Sequence, residues 1–389
     1  MRPDPVTHLL GELVAINSVN AAYPGGTGEA DLAAYVERHC RRLELDVTRQ
    51  SVAPGQDNVI ATLAVPNAMR TLLFEAHMDT VALAPMGDDG LQPKIRAGRL
   101  YGRGACDTKG SLAAMLVALE RLRDRRAELT TNVALLAAVD EEHGATGIKT
   151  FCAGDAPASA AVIGEPTELR LVVAHKGCVR GTIRAVGRAA HSAEPERGVS
   201  AIEGMADIIL ALRGLRERLA ERVHPLTGSP TLTIGLIEGG NGANVVPELC
   251  AITYDRRVTP GEDPADVIAA LDAALDEVRA RSPELTIHRD EPYLVDEALD
   301  TDPASGLVTA ARAACAAAGL NAVPVGVPYG TDASKLQARR GIPSIVFGPG
   351  SISRAHGADE FVPLDDLTHA AAVYEGIALQ YSREGGQHQ

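Results

Sequence analysis

The chain has 389 residues, 46% hydrophobic and 23% charged, an ordinary globular composition with enough apolar material for two domains. Its net charge is −14 and its lysines and arginines form no continuous basic stripe, which makes a nucleic-acid backbone a poor partner. No run of about 18 apolar residues occurs, so no membrane span is expected, and the opening Met1-Arg-Pro-Asp-Pro lacks the apolar stretch of a secretory signal, which points to the cytoplasm.

Val6, Leu9, Leu10, Leu13 and Val14 have helical spacing, as do Leu32, Tyr35, Val36, His39 and Leu43. Short apolar runs follow at 58–64, 71–75, 133–139 and 160–163. Between the second and third lies a helix over 111–122, with Leu112, Met115, Leu116, Leu119 and Leu122 on one face and Ser111 as its cap. Nearly continuous apolar strands separated by helices indicate an α/β layer whose sheet is buried on both faces.

After Lys176-Gly177 the order becomes strand (179–186), helix (198–222), strand (231–237), strand (249–257), helix (264–281) and strand (285–289). This βαββαβ order is that of a ferredoxin-like unit. Its helices carry apolar stripes, Ile202, Met205, Ile209, Leu212, Leu215 and Leu219 on the first and Val267, Leu271, Leu275 and Val278 on the second, each able to cover a sheet. From about Pro303 the α/β pattern resumes, with an alanine-rich helix, strands at 323–327 and 344–347, and a last helix over 365–381. The tail 383–389 has little apolar content and is expected to be mobile. The expected organisation is one domain of 1–177 and 290–389 into which a second, 178–289, is inserted.

The chemistry sits where the apolar runs end. His77 and Asp79 close the run from Leu72, and strand alternation puts both side chains on one face, so the aspartate can accept the imidazole's second N–H and fix the tautomer that ligates metal. Asp107 lies in a glycine-rich turn leading into a helix. A phosphate loop is the rival there, but G-x-x-x-x-G-K-[ST] is absent, and a carboxylate at 107 repels phosphate where it could instead bridge two cations.

Glu141 and Glu142 follow a buried strand; if the backbone turns there, as Gly144 allows, one can hold a metal while the other takes a proton from water. Glu165 and His356 again follow apolar strands. Several strand ends thus each deliver a donor suited to zinc, which is how a binuclear site is assembled. The six cysteines, at 40, 106, 152, 178, 250 and 315, are irregularly spaced with no C-x-x-C pair, so neither a disulfide framework nor a cysteine-type zinc site is expected.

Taken in order, Glu75-Ala-His-Met-Asp-Thr-Val, Gly102-Arg-Gly-Ala-Cys-Asp-Thr-Lys-Gly, Asp140-Glu-Glu-His-Gly, Ile163-Gly-Glu-Pro-Thr, Ala190-His-Ser-Ala-Glu-Pro and Gly348-Pro-Gly-Ser with Ala355-His-Gly-Ala-Asp-Glu resemble the M20 metallopeptidase family. The nearest branch is that of acetylornithine deacetylase and succinyl-diaminopimelate desuccinylase. The resemblance implies a mixed-sheet α/β zinc-hydrolase catalytic domain with an inserted ferredoxin-like lid and dimerisation domain, hence a homodimer.

It also implies two Zn2+ per chain, for which Co2+ can substitute. His77 and Glu165 would hold one, Glu142 and His356 the other, and Asp107 would bridge them, with a cis peptide after it. Asp79 would orient His77, and Glu141 would be the general base. His191 would help bind the oxyanion, Asn244 would meet the substrate, and Arg257 would grip its carboxylate, a bidentate task suited to guanidinium.

The reaction implied is hydrolysis of the amide bond of an N-acyl amino acid, in which the zinc pair acidifies a water and Glu141 carries its proton to the leaving amine. A dipeptidase, carboxypeptidase or aminoacyl amidohydrolase of the same family is the alternative, with a dipeptide as substrate. A non-catalytic ligand-binding homologue and a cysteine hydrolase using Cys106 are the readings from other classes. The acyl group and the amine side chain stay open.

Overall fold

A computed structural model describes residues 4–385, and the tail expected to be mobile lies outside them from residue 386. The chain forms two compact units. The first runs to Val173 and takes up Thr301–Val325 and the chain from Thr331; the second is Ala174–Asp300 with Gly326–Gly330.

The first unit is built on the mixed sheet that the apolar runs predict. At its centre Asn132–Ala138, Thr71–His77, Ala160–Ile163 and Ser344–Val346 lie side by side and parallel. Gln56–Leu63 and then Asp46–Ala53 add antiparallel on one side, and Val172 pairs antiparallel with Val346 on the other. All seven residues of Thr71–His77 and all four of Ala160–Ile163 are buried. A strand covered on both faces has no solvent side to alternate with, which is why these segments read as unbroken apolar runs. Pro5–Val14, Lys109–Asp124, Gly306–Ala317 and Leu364–Gly385 pack on one another, while Ala30–Arg42 packs on Gln56–Leu63 and Thr146–Ala153 meets Ala333–Arg340.

One local expectation changes, and one strand joins those expected. The helix starts at Lys109, with Thr108 before it, and Ser111 is buried inside it rather than capping it. The Lys109 amide bonds back to the Gly104 carbonyl, so the glycine-rich turn itself begins the helix. The strand Asp46–Ala53 was not legible in the hydropathy. It is the outermost strand, half exposed and polar, as an edge that must resist pairing with another chain tends to be.

Register sets the height of the functional side chains. Pairing Glu75 with Ile163 and His77 with Ala138 brings the strands to a common level, so the residues just past each C-terminus emerge together. In open α/β sheets this carboxyl edge is where ligands bind.

In the second unit the strands run in the order Thr231–Gly239, Leu249–Val258, Gly177–Val186, Thr286–Arg289, each antiparallel to its neighbour. With helices Ala201–Ala220 and Pro264–Arg281 this is the split βαββαβ arrangement of a ferredoxin-like unit. Strand alternation sends Val179, Ile183, Ala185, Ile252 and Tyr254 into one core with Met205, Ile208, Leu212, Leu271 and Leu275 of the helices. Ser200 Oγ accepts the Glu203 amide at 3.2 Å and Asp263 Oδ1 the Ala265 amide at 2.8 Å, so both helices are capped by side chain. Gly181 lies opposite Tyr254, whose phenol oxygen would be 2.7 Å from any Cβ at 181.

Candidate metal centre

Four side chains of the first unit converge on Asp107. His77 Nε2 is 3.1 Å from Asp107 Oδ1 and 3.8 Å from Glu165 Oε1. His356 Nε2 is 3.3 Å from Asp107 Oδ2 and 3.2 Å from Glu142 Oε1. Asp107 therefore presents one carboxylate oxygen to each imidazole, and each imidazole has a glutamate of its own.

Donor atoms about 2.0–2.2 Å from a tetrahedral zinc stand about 3.3–3.6 Å apart. The spacings, 3.1 and 3.8 Å in one half and 3.3 and 3.2 Å in the other, lie within a few tenths of an ångström of that edge length, so the residues fit a pair of divalent ions with Asp107 shared. Their electrostatics fit as well. Burial, reinforced by the charge of Asp107, pushes the Glu165 carboxyl well above its ordinary range and raises Glu142. Burial also raises Glu141, with Asp332 and Glu142 adding to it against the opposing charge of His77. Burial works against the Asp107 anion too, but hydrogen bonds from His356 and His77 outweigh it and hold that carboxyl low. A buried group of like charges of this kind is stabilised by cations rather than by solvent.

Each donor is placed by its backbone. The chain turns at Asp140, whose φ is +63°, and again at Ala145, at +50°, so that the adjacent Glu141 and Glu142 leave the strand end. Gly144, expected to supply that turn, has no left-handed conformation; it is needed for space, since a Cβ there would lie 2.6 Å from Asp140 Oδ2. His356 has φ +62°, a strained setting for a non-glycine residue of the sort found at functional sites. The Asp107–Thr108 peptide is cis, as expected.

Asp79 does something the His-x-Asp spacing did not reveal. The imidazole Nδ1 of His77 is 2.9 Å from the backbone carbonyl of Asp79 and 3.4 Å from its carboxylate. That carboxylate instead accepts the amides of Glu141 and Glu142, both at 3.0 Å. One residue thus fixes the tautomer of His77 through its main chain and aims the two glutamates through its side chain. Asn20 supports it, donating to Asp79 Oδ2 at 2.8 Å and Asp140 Oδ1 at 2.9 Å.

Neither Asn20 nor Glu29, whose buried carboxyl accepts the Asp140 amide at 3.0 Å, stood out in the sequence, because both sit in segments that read as helix-capping loop. Glu75 was passed over inside a strand. It is fully buried two residues before His77, with one carboxyl oxygen that meets no partner among the described residues. Cys106 is buried with its thiol toward the Ser351 carbonyl at 3.3 Å, and burial, then the charges of Glu360 and Asp107, push it well above the ordinary thiol range. A neutral, enclosed thiol is no nucleophile, and the cysteine-hydrolase reading falls.

The remaining three candidates belong to the second unit. His191 is exposed on the two-stranded ribbon Ala190–His191 with Val245–Val246, and the Ser192 amide bonds to the Asn244 carbonyl at 3.0 Å, which makes His191 and Asn244 neighbours. The Ala193 amide donates to His191 Nδ1 at 3.1 Å, which leaves the proton of the neutral ring on Nε2, facing outward as a donor. Arg257 lies on the sheet face away from the helices, its Nε held by Asp255 at 2.8 Å, while Asp255 also takes Arg180 at 2.6 Å. Arg256 points the other way, is buried, and pairs with Glu262 at 2.5 Å.

A mixed α/β sheet with paired imidazoles and carboxylates at its carboxyl edge defines a metal-dependent hydrolase. The sequence matches the model of peptidase family M20/M25/M40 over residues 73–380, and the chain belongs to that family. It is 35% identical over 312 residues to acetylornithine deacetylase of Myxococcus xanthus, covering 78% of each chain. Among solved structures it is similar to a tripeptidase from Staphylococcus aureus, with a TM-score of 0.81, 22% identity and coverage of 97% of this chain and 98% of that one. It is also similar to a dinuclear metal binding peptidase from the M20 family of Bacillus subtilis, with a TM-score of 0.74, 17% identity and coverage of 97% and 98%.

Proposed function

We propose that the protein is a zinc-dependent amidohydrolase that removes the acyl group from an N-acyl amino acid, with N-acetylornithine the first substrate to try. The observation that carries this reading is Asp107, which offers one oxygen to each half of a paired donor set. The substrate class follows the 35% identical deacetylase; the peptidase structures, at 22% and 17% identity, share the fold. His77 and Glu165 would hold one ion, Glu142 and His356 the other, and Asp107 both; when bound, the pair would acidify a water and polarise the acyl carbonyl. Co2+ would serve in place of Zn2+.

Glu141 takes the proton of the attacking water and returns it to the leaving amine. Asp79 keeps Glu141 and Glu142 aimed through their amides. His191 Nε2–H donates to the oxyanion, and Asn244, next to it, meets the substrate. Arg257, pre-oriented by Asp255, grips the substrate carboxylate.

The second unit carries an open sheet edge, Thr231–Gly239, on which Leu236 is 64% and Ile237 58% exposed. A second copy of the same edge is the occupant this reading gives it, making the protein a homodimer through that unit. Among the described residues no helix is long and apolar enough to cross a membrane. The cytoplasm is the compartment that suits six free cysteines.

The test is a substrate panel on the purified protein with N-acetyl, N-succinyl, N-formyl and aminoacyl amino acids. Turnover of the N-acetyl compounds above dipeptides supports the deacylase; dipeptides alone being cleaved would replace it with the peptidase alternative.

A further inference from the structure

Asp107 comes from a loop between Arg99–Tyr101 and Lys109–Asp124, and His356 from another, ahead of Phe361–Pro363. Neither side chain has a strand ladder of its own to hold it, yet the two must keep their spacing to within a few tenths of an ångström for Asp107 to face both halves of the site. Phe361 pairs with Tyr101 and the Cys106 thiol meets the Ser351 carbonyl, and one buried charged group adds directional bonds between these loops. Glu360 is fully buried and lies four residues past His356. Its Oε1 accepts the backbone amides of Cys106 at 3.0 Å and Asp107 at 3.1 Å. Its Oε2 pairs with Arg103 Nη1 at 2.5 Å, and its carbonyl accepts the Gly102 amide at 3.2 Å. Arg103, 1% exposed, is itself anchored by its Nε on the Ala82 carbonyl at 3.1 Å and by its amide on the Gly90 carbonyl at 2.8 Å.

A carboxylate set behind a cluster of carboxylates adds like charge to it, a poor choice for packing alone. The Arg103 guanidinium neutralises that charge, and the two amide bonds give Glu360 a directional task that an apolar residue of similar size cannot perform. Resting on the metal-site reading above, we infer that Arg103 and Glu360 are positioning residues: their buried pair clamps the Asp107 loop to the His356 loop, so that the Glu142, Asp107 and His356 half of the site depends on them for its affinity. The half that draws on His77 and Glu165, which follow strands of the central sheet, depends on them less.

The experiment is calorimetric titration of the metal-free, full-length protein with Zn2+, for wild type, Glu360→Gln, Glu360→Met and Arg103→Lys, with thermal unfolding measured in parallel. Loss of a group supporting a metal ligand weakens binding by about 10- to 100-fold. Wild type is expected to bind two ions. Glu360→Gln, which keeps an acceptor for the two amides but loses the charge for Arg103, should weaken one of the two ions about 10-fold, and Glu360→Met about 100-fold, with the other ion shifted far less. Titrated with Co2+ instead, the second equivalent should show an altered visible spectrum in the variants.

Should Glu360→Met fail to fold, Glu360→Gln and Arg103→Lys carry the test. Variants that melt at lower temperature but bind both ions as wild type does would reduce the pair to a packing role and overturn the inference alone. Wild-type protein that binds fewer than two ions would overturn the metal-site reading, and this inference with it.

Discussion

The two units hide and display opposite things. The first buries what proteins ordinarily expose: Glu75, Asp79, Asp107 and Glu165 are all buried toward the carboxyl edge of its sheet. The second displays what proteins ordinarily bury, Leu236 and Ile237 on an open strand of its sheet. Each departure costs free energy in isolation, by desolvation in one case and by exposed apolar area in the other. The first fits divalent cations, the second would be covered in the dimer proposed above, and variants can separate the two.

The largest effect is expected inside the first unit. Glu141→Ala should lower kcat by about 10²- to 10⁴-fold while metal content, measured by elemental analysis, stays at the wild-type value. A near-normal rate would remove Glu141 from the role of base. Next, in the second unit, His191→Ala should cost about 10²- to 10³-fold in kcat with little change in metal content. Mixing that variant with Glu141→Ala and allowing subunits to exchange should restore part of the activity if the histidine serves its partner; exchange without recovery would confine it to its own chain.

Leu236→Asp should turn a dimer into a monomer in sedimentation, since burying a leucine contributes about 1.5–3 kcal/mol and a charge in its place repels its counterpart. A wild-type protein that sediments as a monomer would show that the exposed strand has another use.

The smallest effect concerns Glu29, behind the site. Burial, followed by the charge of Asp79, lifts its carboxyl from 4.5 to about 7 in the folded protein. Between those values the folded state holds a proton that the unfolded state has released, so this group's contribution is complete below pH 4.5 and is lost as pH rises through 7. Glu29→Gln keeps an acceptor for the Asp140 amide and cannot ionise. Denaturant unfolding should therefore show the variant gaining on wild type across that window, by about 1–2 kcal/mol at pH 8 once solvent screening is allowed for. Parallel pH profiles would contradict this.

What could be read in advance divides along the same line. The central strands were plain because burial on both faces leaves no polar residue to interrupt them, and the order βαββαβ was plain because both helices carry stripes at helical spacing. His77, Asp107, Glu142, Glu165 and His356 drew notice as donor types at the ends of such runs. Asp46–Ala53 did not, since an edge strand shares its polarity with a loop.

Glu360, Arg103 and Asn20 escaped for another reason. Their work is done on backbone amides and on side chains distant in the chain, and no local spacing encodes a partner 254 or 120 residues away. Asp79 shows the limit within a recognised motif: alternation put it on the His77 face, but that its carboxylate would serve the amides of Glu141 and Glu142 depends on a turn at Asp140 set by the fold.

Asp107 stands between two imidazole and carboxylate pairs, and hydrolysis is proposed to depend on the two zinc ions they would hold. Metal content and N-acetylornithine turnover, measured together on the same full-length protein before chelation, after it and after Zn2+ is restored, test this most directly. Two ions per chain are expected, with activity lost on their removal and regained on their return. Full turnover by protein carrying less than one ion per chain would contradict it.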